Sequence, residues 1–237
     1  MRTIDPMWWW HRPLVPEPTG RGFLTVWSSA FTVDSMNRRL TERGRERRRQ
    51  LMDYATARFA EAGYHPTSVA EIVTGLGVGK GVFYWYFESK EELFLEILRE
   101  AMVDLRRTQQ QLIIDEDDPV RRIELGIRAT ARWSAAHRDF HKLTQFAATE
   151  ERFRPALRKG QDIAVADTVK HVNEGIVRGE IRDTDPAYIA HAIIGITTQL
   201  VNRFIHDQDT DADEVADIAC AFVLDGILCG RPAPLTH

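Results

Sequence analysis

From about residue 41 onward, apolar residues recur at three- and four-residue steps, and the strict alternation of a half-buried strand is missing. That spacing lines up side chains on one face of an α-helix. A first helix is predicted over Glu42–Ala62, with Leu51, Ala55, Phe59 and Ala62 on one stripe and Gly63 as its stop. A short second helix follows over Val69–Gly75, where Val69, Ile72, Val73 and Leu76 fall at i, i+3, i+4 and i+7. Ser68 with Glu71 forms a capping-box pattern at its start. After a Gly77-Val78 turn a third short helix is expected over 79–86. A fourth, from Ser89 with a second capping pattern at Glu92, runs through Leu93, Phe94, Ile97, Leu98 and Ala101 to about 111. An acidic break at 115–118 precedes Pro119. Five further helices are predicted at roughly 119–136, 140–151, 155–178, 186–206 and 212–229, separated by Pro155, Gly179, Pro186 and the polar run 207–213. The fold class read from the pattern is therefore all-α.

Residues 1–37 do not share this order. They hold Pro6, Pro13, Pro16 and Pro18 and four of the six tryptophans, Trp8, Trp9, Trp10 and Trp27. The expected organisation is a mostly disordered tail over 1–40, a first small domain over 41–88 and a larger helical domain over 89–237. The tail is open to two readings. It is an aromatic anchor for a partner, or translation begins at Met36; the second is favoured because the organised pattern starts a few residues later.

Composition narrows the classes. The chain has 237 residues, 28% charged and 43% hydrophobic, which fits a folded globular protein and not wholesale disorder. The longest apolar run, 218–224, is seven residues, whereas a membrane span needs ~20. The apolar stretch at 7–10 is too short for a secretory core. Cys220 and Cys229 make neither a disulfide framework nor a zinc site, and read as small hydrophobes in a reducing cytoplasm. The net charge of -4 hides an asymmetry: 36–110 holds 13 Lys and Arg against 11 Asp and Glu, while 111–237 holds 15 against 21. Seven arginines fall within 38–49. A basic start on an acidic body suggests that one end meets a polyanion; a solvated helix face gives the same count.

Two short helices joined by a glycine turn after a longer helix make a helix-turn-helix arrangement. Gly77 permits the turn, and Val78 can drop into the small domain's core. Phe83 and Phe87 supply an apolar edge that holds the third helix down. Lys80, Gly81, Val82, Tyr84, Trp85 and Tyr86 are then free to face outward, and a helix of that size fits the major groove. Taken alone, the run 82–87 also reads as a buried strand or core helix. A helix of two turns cannot bury all its aromatics between Lys80 and Lys90, which favours the outward reading.

These residues resemble the tetracycline-repressor (TetR) family of bacterial transcriptional regulators. The stretch that carries the resemblance is Gly63-Tyr64, then Thr67 to Ile72, Leu76 to Phe87, and Lys90-Glu91-Glu92-Leu93. The resemblance implies a three-helix DNA-binding domain followed by a ligand-binding and dimerisation domain. It implies a non-enzymatic, cytoplasmic regulator, by default a repressor, whose partners are a palindromic double-stranded operator, a second copy of itself and a small-molecule effector. It implies base-facing roles for Lys80, Gly81, Val82, Trp85 and Tyr86, and phosphate contacts at Tyr84, Lys90, Thr67 and Ser68. Gly79 departs from the family, where a small hydroxylated residue is commoner. The arginine stretch before the first helix could reach an adjacent minor groove or the backbone.

In the larger half, the resemblance implies an effector cavity walled by the helices between about 102 and 178. The residues expected to line it are Trp133, Phe140, Phe146 and Phe153, with His137, His141 and Gln145 as polar candidates; for each aromatic taken singly, plain core is the favoured reading. His137 and His141 are spaced to share a metal but have no adjacent third ligand, so no metal and no cofactor is assigned. The last two helices are apolar on more than one side, which predicts a partner helix pair as in a two-chain four-helix bundle. Ile194, Val201, Ile205, Phe222 and Val223 are the expected interface, the alternative being a single large core. Two other classes are weighed. Acid-base chemistry at His137, His141, Glu150 and Glu151 lacks a phosphate loop or nucleophile elbow to support it. A helical interaction protein would show no salt-dependent binding to duplex DNA.

Overall fold

A computed structural model describes residues 40–228. The expected disordered tail, the tryptophan anchor, the Met36 start and the Cys229 thiol lie outside the described residues. The chain is helical in the order α1 Glu42–Ala62, α2 Val69–Gly75, α3 Lys80–Tyr86, α4 Lys90–Ile113, α5 Pro119–Ala136, α6 Arg138–Thr149, α7 Arg154–Val177, α8 Pro186–Leu200 and α9 Ala212–Ile227. The all-α reading holds among the described residues, and no helix there is long and apolar enough to cross a membrane.

Local chemistry explains the boundaries. The polar breaks seen in the sequence act as N-caps. The Asp118 carboxylate accepts from the Val120 and Arg121 amides, Asp185 from Ala187, and Asp211 from Asp213 and Glu214. Pro119 and Pro186 occupy first-turn positions, where a missing N–H costs nothing. Gly63 and Gly179 end their helices with φ of +89° and +74°, as left-handed C-terminal residues do. The capping boxes form only in part. Ser68 and Ser89 cap as expected, but Glu71 reaches Arg58 on α1, and Glu92 reaches the amide of Glu88.

Two differences from the periodicity matter. α6 begins at Arg138, because the chain passes from α5 through a single kinked residue, His137, whose amide bonds to the Ser134 carbonyl at 3.2 Å. The last turn of the expected 186–206 helix, Val201–His206, is π-helical. Val201 and Ile205 of this turn are buried against Val215 and Ala216 of α9.

Three apolar clusters hold the described chain. The first joins Leu51, Ala55 and Phe59 of α1, Ile72 and Val73 of α2, Phe83 and Phe87 around α3 and Leu93 to Leu98 of α4 with Leu143, Ala147 and Phe153. The second gathers Ile123 and Ile127 of α5, Val172 of α7, Ile189 and Ile193 of α8 and Val223 and Ile227 of α9. The third lies around the π-helical turn. Between the first two, α4 meets α7 through polar and small groups. Arg106 pairs with Asp167 at 2.6 Å, and a Cβ on Gly160 would lie 2.3 Å from the Met102 sulfur.

The π-helical turn carries a pH-sensitive contact. The His206 ring stacks on His141 of α6, with centroids 3.9 Å apart and planes at 9°. Burial lowers both imidazoles against the opposing pull of Asp207, and for His206 the neighbouring His141 and Arg138 add to it, leaving it at about 4. The neutral pair is therefore the folded form. Its stabilisation is complete above the unfolded histidine pKa of about 6.5 and is lost as pH falls toward 4. We predict that the melting temperature drops between pH 7 and pH 5, and that His206→Gln makes this drop shallower; thermal scans at the two pH values check it.

Candidate nucleic-acid interface

The turn between α2 and α3 is tied by backbone bonds from Gly77 to Thr74 and from Val78 to Val73, at 3.0 and 2.9 Å. Gly77 takes φ of +64°, which a larger residue adopts only with strain. Phe83 and Phe87 are buried and pin α3 to the first cluster. The Arg48 guanidinium lies over the Phe87 ring at 5.2 Å while pairing with Glu96 and Glu100 of α4. This arginine of the basic stretch is thus spent inside the protein, not offered to a duplex.

The opposite face of α3 is open. Lys80 and Gly81 are exposed, and Tyr84 and Trp85 remain 54% and 46% exposed. Val82 and Tyr86 are half-buried, with Tyr86 meeting the Trp85 ring edge-on at 4.5 Å. A Cβ built on Gly79 or Gly81 would meet nothing within 4 Å. Lys80 makes no hydrogen bond or ion pair among the described residues. The result is one stripe carrying a free ammonium and two aromatic side chains, on a helix narrow enough for a groove about 12 Å wide.

The loop before α2 corrects two assignments. Thr67 is fully buried, and its hydroxyl donates to the Gly63 carbonyl at 2.8 Å. It therefore holds the loop and is not available to a phosphate. The Lys90 ammonium points back into the same loop, donating to the Tyr64 and Thr67 carbonyls at 2.8 Å each and to His65 at 3.4 Å. It also sits 4.3 Å from the Tyr64 ring centroid, and burial pushes its pKa down with help from the charge of Arg152. Its donors are already engaged, so a phosphate grip by this side chain is not what the geometry offers. Ser68 is exposed at the start of α2, with its oxygen accepting from Glu71.

The residues expected around an effector are dispersed. Trp133 is buried, stacked on exposed His137 at 4.0 Å and edge-on to half-buried Phe140, with its indole N–H donating to Asp104 at 2.8 Å. His141 turns instead to His206, and Gln145 is exposed. Phe146 and Phe153 pack with Tyr64 and Phe94, so they join the body to the reading motif. A depression of about 250 Å³ lies elsewhere, lined by Leu200, Phe204, Gln208, Thr210, Glu214, Val215 and Ile218.

The expected dimer interface is corrected in the same way. Val201, Ile205 and Val223 are buried in the protomer's own core, and Ile194 is half-buried. Ile189, Ala190, Ile193 and Thr197 of α8 are likewise buried there. The uncovered face carries Tyr188, Ala192 and Gly195 on α8 with Ile218, Ala221 and Phe222 on α9, Phe222 being 67% exposed. Of the five predicted residues, Phe222 lies on it and the half-buried Ile194 stands beside Gly195, while the other three are buried. Hydropathy could not find this face, because several of its members are small. Sequence reading also missed Tyr64 as a structural centre; its single signal was its place after Gly63.

Comparison with known proteins agrees with this geometry. Residues 51–97 match the family described as bacterial regulatory proteins, tetR family, and residues 116–227 match the tetracyclin repressor-like C-terminal domain. The chain is 28% identical over 185 residues to the HTH-type transcriptional repressor KstR2 of Mycobacterium tuberculosis, covering 76% of this chain and 92% of that protein. A solved structure of that ketosteroid transcriptional regulator superposes with a TM-score of 0.62 at 27% identity, over 78% of this chain and 96% of the other. The fatty acid metabolism regulator protein of Bacillus subtilis is 24% identical over 75% of this chain and 94% of its own length. The fatty acid degradation regulator FadR of Bacillus halodurans shares the fold, with a TM-score of 0.69 at 21% identity over 76% of this chain and 95% of its own.

The buried threonine yields a direct prediction. Thr67→Val keeps the shape but removes the bond to Gly63, and should cost about 1 kcal/mol of unfolding free energy. Urea denaturation measures that loss. The salt dependence of DNA binding should not change, because no phosphate contact is lost.

Proposed function

The chain belongs to the TetR family of bacterial regulatory proteins, and from that premise we propose that it is a homodimeric repressor which reads a palindromic operator through α3 and leaves it when a small, largely apolar effector enters the body. The observation that carries the reading is the open stripe on α3: Lys80, Gly81, Tyr84 and Trp85 face solvent while Phe83 and Phe87 fix the helix from behind. In this reading Lys80 donates to a guanine edge, and the bare Cα of Gly81 lets the backbone come close. Trp85 and the exposed edges of Val82 and Tyr86 supply apolar contact to bases. Tyr84 and Ser68 contact the sugar-phosphate backbone and set the register.

Two copies are needed to meet a palindrome. The face formed by Tyr188, Ala192, Gly195, Ile218, Ala221 and Phe222 supports that assembly, since small residues on crossing helices permit close approach and the large ones remain uncovered. The effector is placed between the helices of the 102–178 region, where α4 and α7 meet through the Arg106–Asp167 pair between the two main clusters. Relatives named for fatty acid metabolism and for ketosteroid regulation support an apolar effector. α4 is the lever, because Leu93, Ile97 and Leu98 lie in the reading-motif core while Arg106 lies on the body. The effector can release DNA only by its difference in affinity between the two states, so the operator must weaken effector binding equally.

The test is selection of a preferred duplex from a random-sequence pool, followed by titration at several salt concentrations. Lys80→Ala should relax preference at one base position, by ~1–3 kcal/mol, and leave affinity for random duplex nearly intact. Equal losses on both duplexes would remove Lys80 from the reading role. Phe222→Glu should give monomers that keep their helix content and lose affinity for the selected site; an intact dimer in sedimentation would place the interface elsewhere.

A further inference from the structure

The loop at 63–67 sets the direction in which α2 and α3 leave α1, and it is gripped from two sides. One grip is local: Lys90 at the start of α4 binds three of its carbonyls. The other comes from the turn between α6 and α7, far away in sequence. There Glu150 Oε1 lies 3.0 Å from His65 Nε2. The Arg152 guanidinium lies 5.1 Å from the Tyr64 ring centroid and 4.9 Å from that of Phe153, and its nitrogens reach Glu91 of α4 at 3.4 Å and Glu150 at 3.3 Å. Phe146 stacks on Tyr64 at 5.2 Å beneath these polar contacts.

The two kinds of contact do different work. Aromatic packing is broad and permits sliding and rotation at small cost, whereas a hydrogen-bonded pair fixes one angle. The Glu150 carboxylate is held below the usual range chiefly by its bond from His65, so it stays ionised in this role. Both Glu150 and Arg152 are part-exposed, so the core does not need them, and neither lies on the α3 stripe.

We propose that Glu150 and Arg152 are positioning residues for operator binding: acting through His65 and Tyr64, they fix the angle at which the body presents α2 and α3 to DNA. This rests on the operator-reading function proposed above and adds a second connection between body and motif beside α4.

Charge gives a test with a decisive sign. Glu150→Gln removes a negative charge, so by simple electrostatics it strengthens binding to any duplex. A positioning role demands the reverse for the selected site. With the full-length chain, we expect Glu150→Gln to weaken binding to the duplex selected by the wild type about five-fold, the scale of one exposed pair. Random duplex should bind as well as before or better. Glu151→Gln, the same charge change on the exposed neighbouring residue, should cause no loss. His65→Gln should reproduce the loss, and the double variant should lose no more than either single one; it also serves if Glu150→Gln folds poorly. Unchanged or tighter binding of Glu150→Gln to the selected duplex overturns the proposal, as do parallel losses on both duplexes or additive losses in the double variant. A wild type that selects no duplex overturns the operator reading itself, an outcome distinct from these.

Discussion

Tyr64 stands in the loop that launches the reading motif, yet its ring is only 5% exposed, and its cover comes from well-separated parts of the chain. Phe59 of α1, Phe94 of α4, Phe146 of α6 and Phe153 before α7 all lie with centroids within 5.4 Å of it. Burying such a ring is worth about 1.5–3 kcal/mol, a large fraction of the stability of a typical domain. The full gain requires that α6 and the start of α7 also come up against the loop. The reading motif and the lower body therefore share one apolar cluster, and Phe83 and Phe87 anchor α3 to it. The same burial raises the Tyr64 phenol above its usual pKa, so no second charge joins the cations above the ring.

The cations around that cluster show how a basic sequence can be misleading. Arg48, Arg58, Lys90 and Arg152 are all drawn into internal partners: Glu96 and Glu100, Glu71, the loop carbonyls, and Glu91 with Glu150. A charge with its donors spent on the protein's own acceptors has little left for a phosphate. Lys80 differs in having no such partner among the described residues. The Tyr84 and Trp85 rings beside it are large apolar surfaces that the fold had the means to bury and leaves in water. That combination, and not the count of arginines, is what the proposed reading surface rests on.

At the other end of the molecule the constraint is area. α8 is apolar on nearly every side, and a helix of that kind must be covered all round. The protomer covers most of it with α7 and α9, and Val201 and Ile205 of the π-helical turn that follows are buried against α9. What remains uncovered is a stripe where side chains shrink to Ala192 and Gly195, beside Ile218 and Phe222 of α9. Small residues there leave room for a second backbone, so the face is defined by the bulk it lacks as much as by its two large side chains.

The helices themselves were legible in the sequence because they are local. A three- and four-residue period, a serine or aspartate cap, a proline in the first turn and a glycine at the end are each set by residues within one or two turns. α1, α2 and α5 accordingly begin and end where the pattern places them. The open face of α3 was legible for the same reason, since two buried phenylalanines on so short a helix leave its other side free. The partner of each side chain was not legible. Thr67 and Lys90 stand where a phosphate contact is expected, but the carbonyls of loop 63–67 reach them first. Phe146 and Phe153 look like cavity walls until Tyr64 is brought against them, and Val201 and Val223 look like interface until α9 covers one and α5, α7 and α8 cover the other. These outcomes depend on which helices meet and at what distance. Period and composition do not encode that; it is settled by the requirement that each buried ring and each buried donor find a partner in three dimensions.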